Sequence, residues 1–267
     1  MQTLPQRIDP APQAFFFDVD GTLVSHRTKR VPPSTVEALD ELRRRGNKVF
    51  VATGRSMSEF HFLPLQDLTF DGYVLVGGQE ARDADRNVVF ADPIVGHDLD
   101  VLHEEFYARR RPILFYESVR MYINLVTDHV RQVEEEVSTP VPEIDEPCPD
   151  LPVLKAIVYE DSLREDDLMS RLPGCKATRW HRGAYDIVPA HGGKVAGIKA
   201  LLDHFGIAPE RTMAFGDGEN DADMLRFARI GVCMGNGDAD AHAAADYICG
   251  DIDDDGLARA LEHFGLI

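Results

Sequence analysis

Five short runs, residues 14–17, 48–52, 73–76, 212–215 and 230–234, are apolar almost throughout instead of at every second position. A strand with one solvated face alternates apolar and polar residues. Runs of this kind therefore describe strands buried on both faces, the condition met in parallel sheets covered by helices. Helical patterns fall between them. Val36, Leu39 and Leu42 repeat at helical spacing after Ser34-Thr35-Val36-Glu37, which has the form of a capping box, and Gly46 ends the pattern. A second helix is expected over residues 194–205, with Ile198, Leu201 and Leu202 as its apolar stripe and Gly206 as its stop. Strands and helices in this alternation predict an α/β fold with a doubly wound parallel sheet.

The middle of the chain leaves that rhythm. Strands are expected at 88–90, 113–115, 121–125, 153–159 and 185–188, and helices near 98–109, 128–137 and 162–171, the last opened by a capping box from Ser162 to Glu165. This reads as a separate α+β unit, and 267 residues suffice for a core plus a smaller inserted domain. Pro140, Pro142, Pro147, Pro149 and Pro152 crowd one stretch, expected to be a long loop inside that unit.

A formal net charge of −18 argues against nucleic acid as a partner, because such binding relies on Lys and Arg neutralising phosphates. A phosphorylated ligand would need a local cation. Residues 1–13 carry no apolar signal-peptide core, and no run approaches the roughly 20 apolar residues of a membrane span. The expectation is a cytoplasmic protein with no membrane partner. Cys148, Cys175, Cys233 and Cys249 lack C-x-x-C spacing, which fits scattered reduced thiols. Nothing in the sequence marks an oligomeric state.

Chemistry concentrates where strands end. Phe15-Phe16-Phe17-Asp18-Val19-Asp20-Gly21-Thr22-Leu23 is a buried strand that stops at two carboxylates and a glycine turn. Ligands of open parallel sheets bind beyond the carboxyl ends of strands, and residues two apart on an extended chain can face one side. One carboxylate can attack phosphorus while the other shuttles a proton. An isolated D-x-D is more often a turn or cap, but three other segments supply what phosphoryl transfer needs. Thr53-Gly54-Arg55 follows the second strand with a hydroxyl and backbone N–H groups suited to phosphate oxygens. Gly216-Asp217-Gly218-Glu219-Asn220-Asp221 places two further carboxylates at i and i+4, able to turn toward one hard cation, with Asn220 as a hydrogen-bonding group. Lys194 opens a helix after His191-Gly192-Gly193, where its ammonium can reach an acidic pocket and hold a nucleophilic carboxylate ionised.

These four segments, in this order, resemble the four motifs of the haloacid dehalogenase (HAD) superfamily of phosphohydrolases, and specifically its Cof-type, subfamily IIB branch. Cys233-Met234-Gly235-Asn236-Gly237 and Ala245-Asp246-Tyr247 also resemble that branch's ending. The resemblance implies a Rossmann-like doubly wound core of residues 1–82 and 190–267, interrupted by an α+β cap at 83–189. It further implies an Mg2+-dependent phosphatase that hydrolyses small phosphomonoesters, sugar phosphates foremost, through an aspartyl-phosphate intermediate. Its partner would be a small phosphorylated metabolite. Asp18 would be nucleophile and metal ligand, and Asp20 the general acid and base, with its backbone carbonyl on the metal. Asp217 would bind the metal directly, and Asp221 directly or through water. Thr53, Gly54, Arg55, Lys194 and Asn220 would serve the phosphate or substrate. Many relatives carry Asn-Gly after the third strand where this chain has Val76-Gly77-Gly78-Gln79, so a contact from that Asn does not carry over. A phosphosugar mutase of the same superfamily and a catalytically silent phosphate-binding protein are the alternatives.

Other signals weigh less. Asp251-Ile252-Asp253-Asp254-Asp255-Gly256 with Glu262 fits the spacing of a calcium loop, but Leu257, Ala260, Leu261 and Phe264 begin a helix where that loop must still be open. No H-E-x-x-H is present among the ten histidines. His26, His181 and His191 read as loop or surface residues, and Trp180 as packing on the inserted unit's own sheet.

Overall fold

The structure, a computed structural model, describes residues 10–137, 139–160 and 165–267. It divides into two compact units, one holding the chain up to residue 55 with 59–90 and 193–267, the other holding 56–58 and 91–192.

The first unit begins with β1 (Ala14–Phe17), α1 (Pro33–Arg44), β2 (Lys48–Ala52), β3 (Gly72–Leu75), β4 (Glu80–Asp83) and β5 (Val88–Ala91). Helix α1 starts differently from the capping-box expectation. Pro32 is its N-cap and Pro33 its first residue, a position where proline loses no hydrogen bond. Ser34 then lies inside the helix, and its hydroxyl donates to Asp255 Oδ1 at 2.5 Å. Strand β4 carries charges that hid it in the sequence: Arg82 forks onto Glu80, Nε to Oε2 at 2.8 Å and Nη2 to Oε1 at 3.1 Å, so a buried pair replaces the apolar pattern.

The second unit contains α2 (Gly96–Ala108), β6 (Ile113–Glu117), β7 (Met121–Ile123), α3 (Asp128–Val137), β8 (Val153–Val158), α4 (Glu165–Met169), β9 (Cys175–His181) and β10 (Ala184–Pro189). Its antiparallel sheet runs β7-β6-β8-β10-β9. Ile113, Phe115, Ala156, Val158, Tyr185 and Ile187 share one buried cluster with Leu102 and Phe106 of α2 and Leu168 of α4. Strand β9 sits at the sheet edge, mostly exposed, and its sequence lacks the apolar alternation that would have revealed it. Trp180 lies on this strand, 42% exposed, and donates its indole N–H to Asp186 Oδ1 at 2.7 Å. The Ser162 capping box lies outside the described residues.

The chain then returns to the first unit with α5 (Lys194–Phe205), β11 (Thr212–Gly216), α6 (Ala222–Phe227), β12 (Ile230–Cys233), α7 (Ala239–Ala244), β13 (Tyr247–Ile248) and α8 (Gly256–His263). Its sheet is ordered β13-β12-β11-β1-β2-β3-β4-β5, so Val88–Ala91 joins the edge of this sheet and not the sheet of the second unit. Strands from β13 to β3 are parallel neighbours, and β4 returns antiparallel to β3. Phe16 stacks on Phe50 with ring centroids 4.8 Å apart, and Phe17 on Phe215 at 4.9 Å. Phe16, Phe50, Val74, Ile198, Leu201 and Leu225 form one buried cluster that seats α5 and α6 on the sheet. Among the described residues no helix is long and apolar enough to cross a membrane.

Strand β1 lies between β11 and β2, so the chain leaves it in one direction and comes back on its other side. That is the topological switch point of a doubly wound sheet, where a crevice opens beyond the strand ends. Leu201 is fully buried in the cluster that anchors α5. Leu201→Ala is expected to destabilise the first unit by about 2–5 kcal/mol, the range for a buried leucine truncation. Urea unfolding should show the midpoint falling with an unchanged slope.

Candidate active site

Asp18 follows β1 directly, and its backbone N–H donates to Phe215 O at 3.0 Å, continuing the parallel ladder with β11. The side chain emerges at the switch point yet is only 7% exposed. Lys194, the first residue of α5, places its ammonium 2.6 Å from Asp18 Oδ1 and 2.6 Å from Asp221 Oδ1. The approach of α5 depends on a turn after β3. Gly78, at φ +101°, lies so near Gly193 that a Cβ on it would stand 2.0 Å from the Gly193 carbonyl oxygen. Only glycine lets these backbones meet.

Asp217 enters from the tip of β11. Thr22 donates to its Oδ1 at 3.0 Å, and its Oδ2 lies 2.0 Å from where a Cβ on Gly21 would be. Gly21 also has φ +89°, so the D-x-D-G-T run needs its glycine for conformation and for room. The glycine turn was legible in the sequence; the room Gly21 leaves for Asp217 and the bond from Thr22 to it depend on β11, far along the chain, and were not. Asn236 fastens the same turn, donating Nδ2–H to Gly21 O at 2.8 Å. Asp221, fully buried, uses Oδ1 for Lys194 and Oδ2 for the N–H groups of Asp217 and Gly218, both at 3.0 Å.

Asp18, Asp217 and Asp221 each offer an oxygen within 4.8 Å of the others. Three carboxylates against one ammonium leave two negative charges when all are ionised. Burial, then repulsion from Asp221 and Asp217, raises the Asp18 pKa well above the ordinary value despite Lys194. Burial and Asp221 push Asp217 up to about 7, with Thr22 opposing. Burial works against the Lys194 charge, but Asp18 and Asp221 outweigh it and raise its pKa. The donor set fits a hard divalent cation, since hard oxygens are its ligands and further positive charge is what the cluster lacks.

Around this centre the loops divide. Thr53 is buried after β2, its N–H donating to Val74 O at 2.9 Å and its Oγ1 accepting from Arg55 N–H at 3.2 Å. The following turn is stapled to it: Gly77 N–H donates to Thr53 O and Val76 N–H to Arg55 O, both at 2.9 Å. Val76 has φ +53°, a strained conformation for a β-branched residue, held by these bonds. Arg55 does not sit free for a phosphate. Its Nε and Nη2 donate to Oδ2 and Oδ1 of Asp20, each at 2.8 Å. Asn220 is exposed on the turn before α6, and Gly54 lies between Thr53 and Arg55. His26 is exposed, His181 meets Glu136 at 2.9 Å, and His191 meets Asp92, so none belongs to this cluster.

A model of the haloacid dehalogenase-like hydrolases matches residues 15–261. The chain belongs to this family. It falls in the Cof-type branch and is a phosphatase of the HAD superfamily. A Bacillus subtilis (strain 168) protein named "Putative phosphatase YkrA" is 30% identical over 255 residues, spanning 94% of this chain and 97% of its own. The solved structure of BT1666 from Bacteroides thetaiotaomicron, among phosphatases of the HAD superfamily, superposes with a TM-score of 0.87 at 30% identity over the whole of both chains. That of BT4131, a HAD subclass IIB sugar phosphatase, gives 0.81 at 32% identity over 96% of this chain and 100% of its own.

The raised pKa of Asp217 carries a stability signature. Between the ordinary 3.8 and about 7 the folded chain keeps a proton that the unfolded chain has released. Stability of the metal-free protein therefore falls as pH rises through that window. In EDTA the Tm should drop across it, and Asp217→Asn should flatten the slope. A divalent cation at about 100 times its Kd should raise the wild-type Tm by roughly 5 °C above the window and by less below it. Differential scanning fluorimetry decides this, and a Tm indifferent to divalent cations at every pH removes the metal site.

Proposed function

We propose that this HAD phosphatase hydrolyses small phosphomonoesters, sugar phosphates foremost, through a phosphorylated Asp18, with Mg2+ as its metal. The observation that carries the reading is Asp18 itself: a buried carboxylate at the tip of the central strand, 2.6 Å from Lys194 and grouped with Asp217 and Asp221. An Asp18 Oδ attacks phosphorus in line, the bond from phosphorus to the ester oxygen breaks, and Asp20 gives that oxygen a proton. Water then attacks the aspartyl phosphate, Asp20 takes its proton, and the phosphorus–Oδ bond breaks to release phosphate and restore Asp18. Lys194 favours the ionised form of Asp18, which a bound cation would complete, and offsets charge on the transferring group. Thr53 and the Gly54 N–H receive phosphate oxygens, and Asn220 serves the substrate side. Asp18 and Asp217, with the Asp20 carbonyl, would hold Mg2+; Asp221, both of whose oxygens are engaged, would act through water. The metal supplies charge neutralisation at the phosphate.

Sugar phosphates come first because the similar BT4131 is a sugar phosphatase. Discrimination among esters is assigned to the second unit, the inserted α+β segment of residues 91–192. Four free cysteines fit a reducing cytoplasm.

Asp18→Asn should fold and lose on the order of 10⁴-fold or more in kcat, since the amide keeps shape but not nucleophilicity. EDTA should abolish phosphate release from a panel of sugar phosphates, Mg2+ should restore it, and Ca2+ should do so poorly because it prefers more ligands and looser geometry. Full turnover in chelator, or a folded Asp18→Asn variant as active as wild type, would falsify this mechanism. Product analysis that finds phosphate returned to sugar instead of released would make the enzyme a mutase.

A further inference from the structure

We propose that Arg55 is a positioning residue for Asp20, fixing the carboxyl that protonates the leaving alcohol and then activates water. The inference rests on the acid and base role given to Asp20 above. Its ground is the fork between the two side chains: Arg55 Nε to Asp20 Oδ2 and Nη2 to Oδ1, both 2.8 Å. Two parallel N–H donors set the carboxylate plane as well as its place, which a single hydrogen bond or a point charge does not.

Asp20 needs such a hold. Its side chain is 38% exposed, in contrast to the buried Asp18, so packing leaves its rotamer free. Arg55 is itself anchored. Its N–H donates to Thr53 Oγ1, its carbonyl accepts from Val76 N–H, and Glu59 one helical turn on lies 3.6 Å from Nη1. The guanidinium therefore carries the position of the phosphate loop across to the turn after β1. Both half-reactions ask the same carboxyl to address an oxygen on phosphorus, first of the ester, then of water. One fixed orientation serves both. In the first, the proton occupies one Oδ and the arm that faced it lets go, while the other arm holds the plane. A misplacement of about 1 Å can cost a hundredfold in rate, so loss of the fork should be visible.

A residue that acts through Asp20 must affect esters according to their need for a proton. The measurement is kcat/KM for phenyl phosphate and 4-nitrophenyl phosphate, in wild type, Arg55→Gln, Arg55→Lys, Asp20→Asn and the Asp20→Asn/Arg55→Gln double variant. This constant reports steps only through release of the phenol. The 4-nitrophenolate leaves with little assistance and phenolate needs more. The ratio of phenyl to 4-nitrophenyl values should fall roughly tenfold or more in Arg55→Gln and in Asp20→Asn, and the double variant should fall no further than Asp20→Asn. Arg55→Lys, with charge but no fork, should lie between wild type and Arg55→Gln. The 4-nitrophenyl reaction, measured in each variant, serves as the control for folding. If Asp20→Asn lowers the ratio while both Arg55 variants keep it, with both esters losing equally through KM, Arg55 binds phosphate and the inference is overturned. If Asp20→Asn leaves the ratio at the wild-type value, the acid role of Asp20 fails, a result distinct from failure of the fork.

Discussion

The ammonium of Lys194 between Asp18 and Asp221 is the contact on which the rest of the site depends. All three side chains are at least nine-tenths buried, and each would be severely penalised there alone. Together they remain short of positive charge once Asp217 is counted. Burial first, and then repulsion among these carboxylates, raises the pKa values of Asp18 and Asp217. An acidic chain thus gathers three carboxylates around one built-in lysine, a set that a hard divalent cation would complete.

Bringing those charges together is a backbone problem before it is a side-chain one. The charged groups come from far apart in the chain, Asp18 and Lys194 being separated by 176 positions. They meet because β1 and β11 are neighbours at the switch point and because α5 can start against the turn after β3. Gly78 and Gly21 mark two of the places where a Cβ would keep the pieces apart. Val76, strained at positive φ, shows that this turn is held against local preference by its bonds to the Thr53–Arg55 loop.

The two carboxylates of the D-x-D run live in different environments although they are two residues apart. Asp18 is buried and electrostatically crowded, and Asp20 is partly solvated and paired with Arg55. Separate surroundings of this kind are what the proposed division requires, with one carboxylate as nucleophile and the other exchanging protons.

Local properties of the chain determined much of this protein. Residues 14–17, 48–52 and 194–205 could be assigned with their observed ends, because continuous apolar runs, a helical stripe and a stop glycine are written within a few residues. Spacing alone likewise put Asp18 and Asp217 at strand ends and Asp221 in the helical turn that follows. Elements whose signal depends on distant partners were not legible. Strand β4 hides its polarity in the Glu80–Arg82 pair, β9 is an exposed edge, and β5 joins the first unit's sheet by pairing that no local pattern announces. Ser34 gave up its capping role to a proline start and turned to Asp255, 221 residues away. Arg55, named by motif as a substrate contact, is bound to Asp20, and both oxygens of Asp221 are already taken. Sequence fixes which donors and acceptors exist and which way a strand or helix turns them. Which partner each one takes is decided by distances between segments far apart in the chain, and those distances exist only once the sheet has assembled.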